Sequence, residues 1–291
     1  MELLSPKNDV VFQKLFGKNE NKEILISFLN AVLRKTLKEK IIDVKIEEKK
    51  IDISMVIDEK VSILDIYVTT DKNEHINVEM QIANEYNMVK RTLYYWSKMF
   101  LNQLTVGEDF VLLNKTITIN LIDFNLIKND KMHNVYHLKE NETNEELTDL
   151  VEINFIEMKK LKKEIQKENK DEKLGMWLNL IMNPNSEEVE KMAQIDEDLR
   201  KAREVLALIS CDKETRQLAE MREKAILDKI SFENGARRAG YEEGMNDGMR
   251  NGELKKAKSI ALNLLDVLDD KVISEKTGLS IEEVKELRKQ Q

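Results

Sequence analysis

Two carboxylates stand where short strands would ordinarily carry uncharged side chains. Asp65 lies in Val61-Ser62-Ile63-Leu64-Asp65-Ile66-Tyr67-Val68, and Glu79 lies in Ile76-Asn77-Val78-Glu79-Met80-Gln81-Ile82. Each segment reads as a strand of alternating apolar residues. A half-buried carboxylate is unfavourable unless it is paired or holds a cation. The same penalty on two neighbouring strands points to a metal site.

Side chains alternate faces along a strand. Ile63, Asp65 and Tyr67 therefore share one face of the first segment. In the second, Asn77, Glu79 and Gln81 share a face, and Val78, Met80 and Ile82 share the other. Asp71-Lys72-Asn73-Glu74 is turn chemistry, which predicts a hairpin. A three-residue loop, Asp71 to Asn73, sets Asp65 opposite Glu79 with Cβ atoms about 5 Å apart. One hard divalent cation then bridges both carboxylates. A two-residue loop sets Asp65 opposite Met80 and removes that geometry. Carboxylates facing solvent on an open sheet are the alternative.

Asp, a turn and then Glu-x-Gln on the next strand resemble the PD-(D/E)XK nuclease core. Four segments sharpen the likeness: Pro6-Lys7-Asn8-Asp9-Val10-Val11-Phe12-Gln13-Lys14-Leu15-Phe16-Gly17, Ile63-Leu64-Asp65-Ile66, Val78-Glu79-Met80-Gln81 and Lys90-Arg91-Thr92-Leu93-Tyr94-Tyr95-Trp96. In this order they resemble the Rpn family, described as recombination-promoting nucleases or transposases. The resemblance spans residues 1–160 well and the C-terminal region more loosely.

The resemblance implies a metal-dependent DNA endonuclease linked to recombination or transposition. Asp65 and Glu79 would hold Mg²⁺, or another divalent cation such as Mn²⁺ or Ca²⁺, with the Met80 carbonyl as a further ligand. Gln81 occupies the position where the family often has Lys. Glutamine donates and accepts hydrogen bonds but is not a base, so it can orient an attacking water without taking its proton. Asp9 reads either as a third acidic residue near the metal or as the N-cap of a helix over 10–16. Arg91 reads either as a phosphate contact or as a solvated arginine on a helix surface. Tyr94, Tyr95, Trp96 and Phe100 read as core packing.

The elements that must position these residues follow from pattern. Residues 22–37 read as a helix with Ile24, Leu25, Phe28, Leu29, Val32 and Leu33 on its apolar face. Strands are predicted over 42–47 and 51–57, a long helix over 86–104, and a central strand over 115–124. Further strands are predicted over 134–138 and 151–158. A helix between strands favours a mixed α/β sheet flanked by helices. From about 170 the pattern is helical, interrupted at Asn183-Pro184-Asn185-Ser186. The expected organisation is a PD-(D/E)XK nuclease-like domain over 1–165, a helical region over 166–234, and an assembly region over 235–291.

That last region carries Gly240, Gly244, Gly248 and Gly252 in one phase. Glycine disfavours a helix by about 1 kcal/mol per residue relative to alanine. Four in phase read either as a mobile linker or as a bare helical stripe that another backbone can approach. The stripe reading predicts a homo-oligomer. An amphipathic helix is expected over 257–268. Beyond it, residues 270–287 read as helix, Gly-containing turn and helix, with Ser280 and Glu283 forming a capping box. Glu282, Glu283 and Glu286 on the second helix disfavour phosphate, so the reading is assembly rather than DNA recognition.

The 291 residues carry 47 basic and 55 acidic side chains, a net charge of -8. This disfavours a strongly basic nucleic-acid binder. The acidic excess lies in 101–200, and 1–100 is balanced. Lys159, Lys160, Lys162 and Lys163 read as a solvated helix start, with a DNA-backbone track as the alternative. Cys211 is the one cysteine and cannot form an internal disulfide. His133 and His137 are four residues apart, a spacing that chelates on a helix, and are read as incidental. No apolar run spans a membrane. Met-Glu-Leu-Leu-Ser-Pro does not read as a signal peptide, so a cytoplasmic location is expected. Two other functions stay open: a non-catalytic DNA-binding or assembly protein on a nuclease fold, and another metal-dependent hydrolase such as an RNase or nucleotide phosphatase.

Overall fold

The turn at Asp71-Lys72-Asn73 sets the register of the sheet. Asn73 adopts φ 61°, a left-handed conformation that asparagine tolerates well. The Thr70 amide donates to the Glu74 carbonyl over 2.9 Å and closes the three-residue loop. It joins β2 (Ile66–Thr70) to β3 (His75–Gln81). The pair is antiparallel, with Ile66 opposite Val78 and Thr69 opposite His75. Of the two loop lengths that the sequence leaves open, the three-residue one forms.

A computed structural model describes residues 2–47, 66–84, 86–165 and 172–290 of the chain. Its six-stranded sheet has the order β1-β2-β3-β4-β6-β5. Here β1 is Val44–Ile46, β4 is Thr116–Ile122, β5 is His133–Lys139 and β6 is Glu146–Glu157. β3 runs parallel to β4, and β4 parallel to β6; the other pairs are antiparallel. The central position of β4 follows from its β-branched sequence, Thr-Ile-Thr-Ile-Asn-Leu-Ile, every residue of which is buried.

One face of the sheet carries Ile66, Val68, Ile76, Val78 and Met80, all fully buried. They join a core that also takes residues from α1 (Asp9–Phe16), α2 (Lys22–Val32), α5 (Glu172–Met182) and α7 (Glu197–Cys211). Between α3 (Met88–Leu101), which follows β3, and α5 comes the short α4 (Leu161–Ile165). α6 (Glu187–Ile195) packs between α5 and α7. Phe16, Phe28 and Trp177 pack ring against ring, with centroids 5.2 to 6.0 Å apart. Such contacts add to area burial by about 0.5–1.5 kcal/mol per pair. The opposite face lies against α3. There Trp96 Nε1 donates to the Thr116 carbonyl, and Thr92 Oγ1 donates to Asn120 Oδ1. A second apolar cluster, Met88, Ile122, Phe124, Ile153 and Phe155, closes that side.

Contacts divide the chain into two compact units, Met1–Ala225 and Ile226–Gln291. α8 (Lys213–Leu264) begins in the first and continues through the second. The second unit has its own small core of Ala261, Leu265, Ile273, Leu279 and Val284. Its α9 (Asp270–Thr277) ends at Gly278, φ 75°, and α10 (Ile281–Lys289) starts on the expected Ser280–Glu283 capping box. The glycine phase lies within α8, so the stretch is helix rather than linker. The helix expected over 257–268 is the end of that same element.

Several boundaries differ from expectation. The helix expected over 22–37 stops at Val32. Beyond it Thr36 turns its hydroxyl to the buried Glu152 carboxylate over 2.8 Å, a bond that a continued helix would not supply. The strand expected over 51–57 lies outside the described residues. His133 and His137 sit on a strand, where four residues span about 13 Å. Each meets its own partner, Asn154 for His133 and Glu146 for His137. Lys160 is not a solvated helix-start lysine. Its ammonium is buried against Glu157 Oε2 at 2.6 Å and donates to the carbonyls of Ile127 and Asn129. It is unavailable to a phosphate backbone.

Candidate active site

Glu79 sits near the end of β3, side by side with Asn120 of β4. Its side chain is 1% exposed. A lone charge at such depth would be driven to its neutral form. Arg91, on the first turn of α3, supplies the counter-charge: its Nη2 lies 2.5 Å from Glu79 Oε1. The Arg91 guanidinium also lies 5.7 Å from the Tyr95 ring centroid, within cation–π range. Arg91 is therefore neither simply solvated nor pointed into open solvent. It ties α3 to the sheet through a buried ion pair.

Gln81 is on the same face of β3, and its Nε2 donates to the Ala83 carbonyl over 3.2 Å. Met80 faces the other way and is fully buried in the main core. Asp65 lies outside the described residues. It directly precedes Ile66 in the chain, and Ile66 is paired with Val78, the residue before Glu79.

Asp9 is not the helix cap. Asn8 caps α1, its side chain accepting from the Val10 amide, and Asp9 is the first helical residue. Asp9 is 3% exposed and accepts from Arg222 Nε over 2.6 Å. Burial pushes its carboxyl above the ordinary value, opposed by the Arg222 charge. The pair fastens α1 to the start of α8. Sequence spacing offers no signal for it, because the partners are 213 residues apart.

A carboxylate fixed on a central strand, with one charge already compensated, is a suitable hard-oxygen donor for a divalent cation. Accepting from Arg91 does not exhaust a carboxylate, which offers about four lone-pair sites. Among the described residues no three or more His, Cys, Asp or Glu side chains form a metal cluster. A complete ligand set built on Glu79 therefore requires a residue such as Asp65.

Beside Glu79, on the same face, is a cavity of about 490 Å³. Its walls include Tyr67 and Asn77, paired across β2 and β3, with His75, and Tyr95 and Lys98 from α3. The Tyr67 hydroxyl is hydrogen-bonded to His75 Nδ1 at 3.0 Å. Burial pushes the Tyr67 phenol up and the His75 imidazole down, so both favour their neutral forms. The sequence reading passed over these two residues because nothing in their spacing resembles a catalytic motif.

Comparison with known proteins gives one family. The family model described as PD-(D/E)XK nuclease family transposase matches residues 6–236. No curated protein and no solved structure matches the chain.

Proposed function

Because the chain belongs to the PD-(D/E)XK nuclease family transposases, we propose that it is a divalent-metal-dependent endonuclease that hydrolyses DNA phosphodiesters. The observation that carries this reading is the β2–β3 register, Ile66 opposite Val78. Extended by one residue, that register would put Asp65 opposite Glu79. Two carboxylates on one face of adjacent strands would then hold Mg²⁺ or Mn²⁺, with the Met80 carbonyl as a further donor.

Bound there, the cation supplies charge neutralisation at the phosphate and lowers the pKa of a water. Glu79 presents a fixed carboxylate whose charge Arg91 keeps in place. Gln81 releases its carboxamide from Ala83 and orients the attacking water. It cannot take the proton, so that proton passes to solvent or to a substrate phosphate oxygen. Arg91, beside Glu79, would offer its guanidinium to the phosphate.

One observation favours the non-catalytic alternative, a DNA-binding or assembly protein: the Gln81 carboxamide is turned back onto Ala83 rather than toward Glu79. The same experiment separates the two. Supercoiled plasmid is incubated with Mg²⁺ or Mn²⁺ and wild-type, Asp65→Ala or Glu79→Ala protein purified identically. Cutting by the wild type alone, abolished by EDTA, supports the hydrolase. Equal cutting by all three places the activity elsewhere. No cutting, with DNA binding retained, favours the alternative. An RNA of matched length run alongside separates DNA from RNA substrates.

The proposed division of labour is a catalytic portion over 1–165, helical support over 166–234 and an assembly portion over 235–291, in a cytoplasmic protein. Self-association through α8 is part of this reading. Among the described residues, and apart from the helix's own adjacent turns, nothing lies within 4 Å of where a Cβ would stand at Gly240, Gly244, Gly248 or Gly252. Tyr241, Met245 and Met249 are exposed beside them, leaving an apolar edge next to a bare ridge.

A further inference from the structure

We propose that the cavity beside Glu79 receives one unstacked nucleobase of the substrate strand. The inference deepens the hydrolase reading and rests on it for the nature of the substrate. Its volume of about 490 Å³ falls within the roughly 300–1,000 Å³ of small-molecule sites. Tyr67, His75 and Tyr95 contribute three rings to its walls, and base stacking on aromatic side chains tolerates any base.

Polar groups supply orientation. Asn77 is 5% exposed and lines the cavity. Its carboxamide carries both a donor and an acceptor to offer a base edge. Glu47, which also lines the cavity, can accept from an exocyclic amine, as carboxylates do from cytosine. Lys98 stands at the α3 wall, where its ammonium can meet the strand's phosphates.

The position relative to Glu79 gives the cavity its meaning. Asn77 and Glu79 are two residues apart on one face of β3, about 6.6 Å along the strand. Tyr95 and Arg91 are one helical turn apart on α3 and in contact. A base seated against Asn77 and Tyr95 therefore leaves its own phosphate beside Glu79 and Arg91. Because the base must leave its stack, unpaired or distorted DNA is the favoured substrate.

The test is binding, independent of cleavage. End-labelled oligo(dC) hexamer and an abasic sugar–phosphate hexamer of equal charge are titrated with full-length protein in EDTA, followed by fluorescence anisotropy. The wild type is expected to prefer oligo(dC) by about tenfold, the scale of one base stacked on an aromatic ring. Asn77→Leu, which replaces the amide with an apolar side chain of similar size at the cavity wall, should reduce the preference to none while leaving abasic binding unchanged. Asn77→Ala removes the amide without adding volume and is carried in parallel, so a folding defect in the leucine variant does not decide the outcome. Equal wild-type affinity for both probes overturns the proposal, as does a preference that survives both substitutions. A base preference in a protein that cuts no plasmid would keep the pocket and sink the hydrolase. Cleavage without base preference would do the reverse.

Discussion

The Glu79 carboxylate and the Arg91 guanidinium, 2.5 Å apart, join β3 to α3 through a buried ion pair. Removing the arginine takes away the counter-charge that lies 2.5 Å from this buried carboxylate. Arg91→Ala is expected to destabilise the protein by about 3 kcal/mol in EDTA. If Glu79 is a metal ligand, millimolar Mg²⁺ should recover part of that loss. Urea titrations with and without Mg²⁺ read both effects; unchanged stability in EDTA would contradict the ion pair.

Glu79→Gln keeps the shape of the side chain and removes its charge. Metal-dependent cleavage should fall by about a thousandfold, the several kcal/mol that a Lewis acid contributes to a phosphoryl transition state. Single-turnover cleavage measures this. A variant with near wild-type rates would remove Glu79 from the mechanism.

Asp9→Ala should behave as the loss of a structural tie, not of a ligand. Arg222, 11% exposed, loses the carboxylate 2.6 Å from its Nε. A loss of about 3 kcal/mol is expected, with Mg²⁺ affinity by calorimetry unaltered. A large fall in metal affinity at unchanged stability would instead make Asp9 a ligand.

Glu152 gives the acid sensitivity a source. Burial acts to raise its carboxyl, but hydrogen bonds from Asn154, Lys115 and Thr36 and the Lys115 charge outweigh it, and the value lies below the ordinary 4.5. A carboxyl depressed in the folded state stabilises fully above about pH 4.5 and loses that contribution as pH falls through the lower folded value. Glu152→Gln should therefore cost about 1.5–3 kcal/mol at pH 7, and the gap to wild type should close toward pH 3. Denaturation across that range checks it; a constant gap would rule out the ionised carboxylate as its origin.

The hairpin register depends on Asn73. Asn73→Val places a β-branched residue at φ 61° and should destabilise by about 1–2 kcal/mol, whereas Asn73→Gly should be tolerated. Thermal melts of the two variants decide this. Equal behaviour would mean that the loop does not hold the register.

Local chemistry made much of this architecture readable. Turn residues at Asp71 to Asn73, alternation through His75–Gln81 and β-branched content in Thr116–Ile122 announced the strands that form. The Ser280–Glu283 capping box was equally legible, since its partners are three residues apart. Long-range partnerships were not. Asp9 with Arg222, Glu152 with Lys115 and Thr36, and Lys160 with the carbonyls of Ile127 and Asn129 depend on which elements come together. A lysine run looks solvated in sequence whether or not one member is buried. Glu79 was legible as an acidic strand residue, but its Arg91 partner could be chosen only once α3 lay against the sheet.

The N-terminal segment has a consequence for biosynthesis. The Leu4 amide donates to Ser210 Oγ, Asn8 Nδ2 donates to the Ala219 carbonyl, and Asp9 accepts from Arg222. None of these partners exists while the ribosome is still making the sheet. At about 5–20 residues per second, the 213 residues between Asp9 and Arg222 take about 10–40 s to translate. Throughout that interval α1 lacks these latches, and its apolar residues rely on α2 and the nascent sheet for cover.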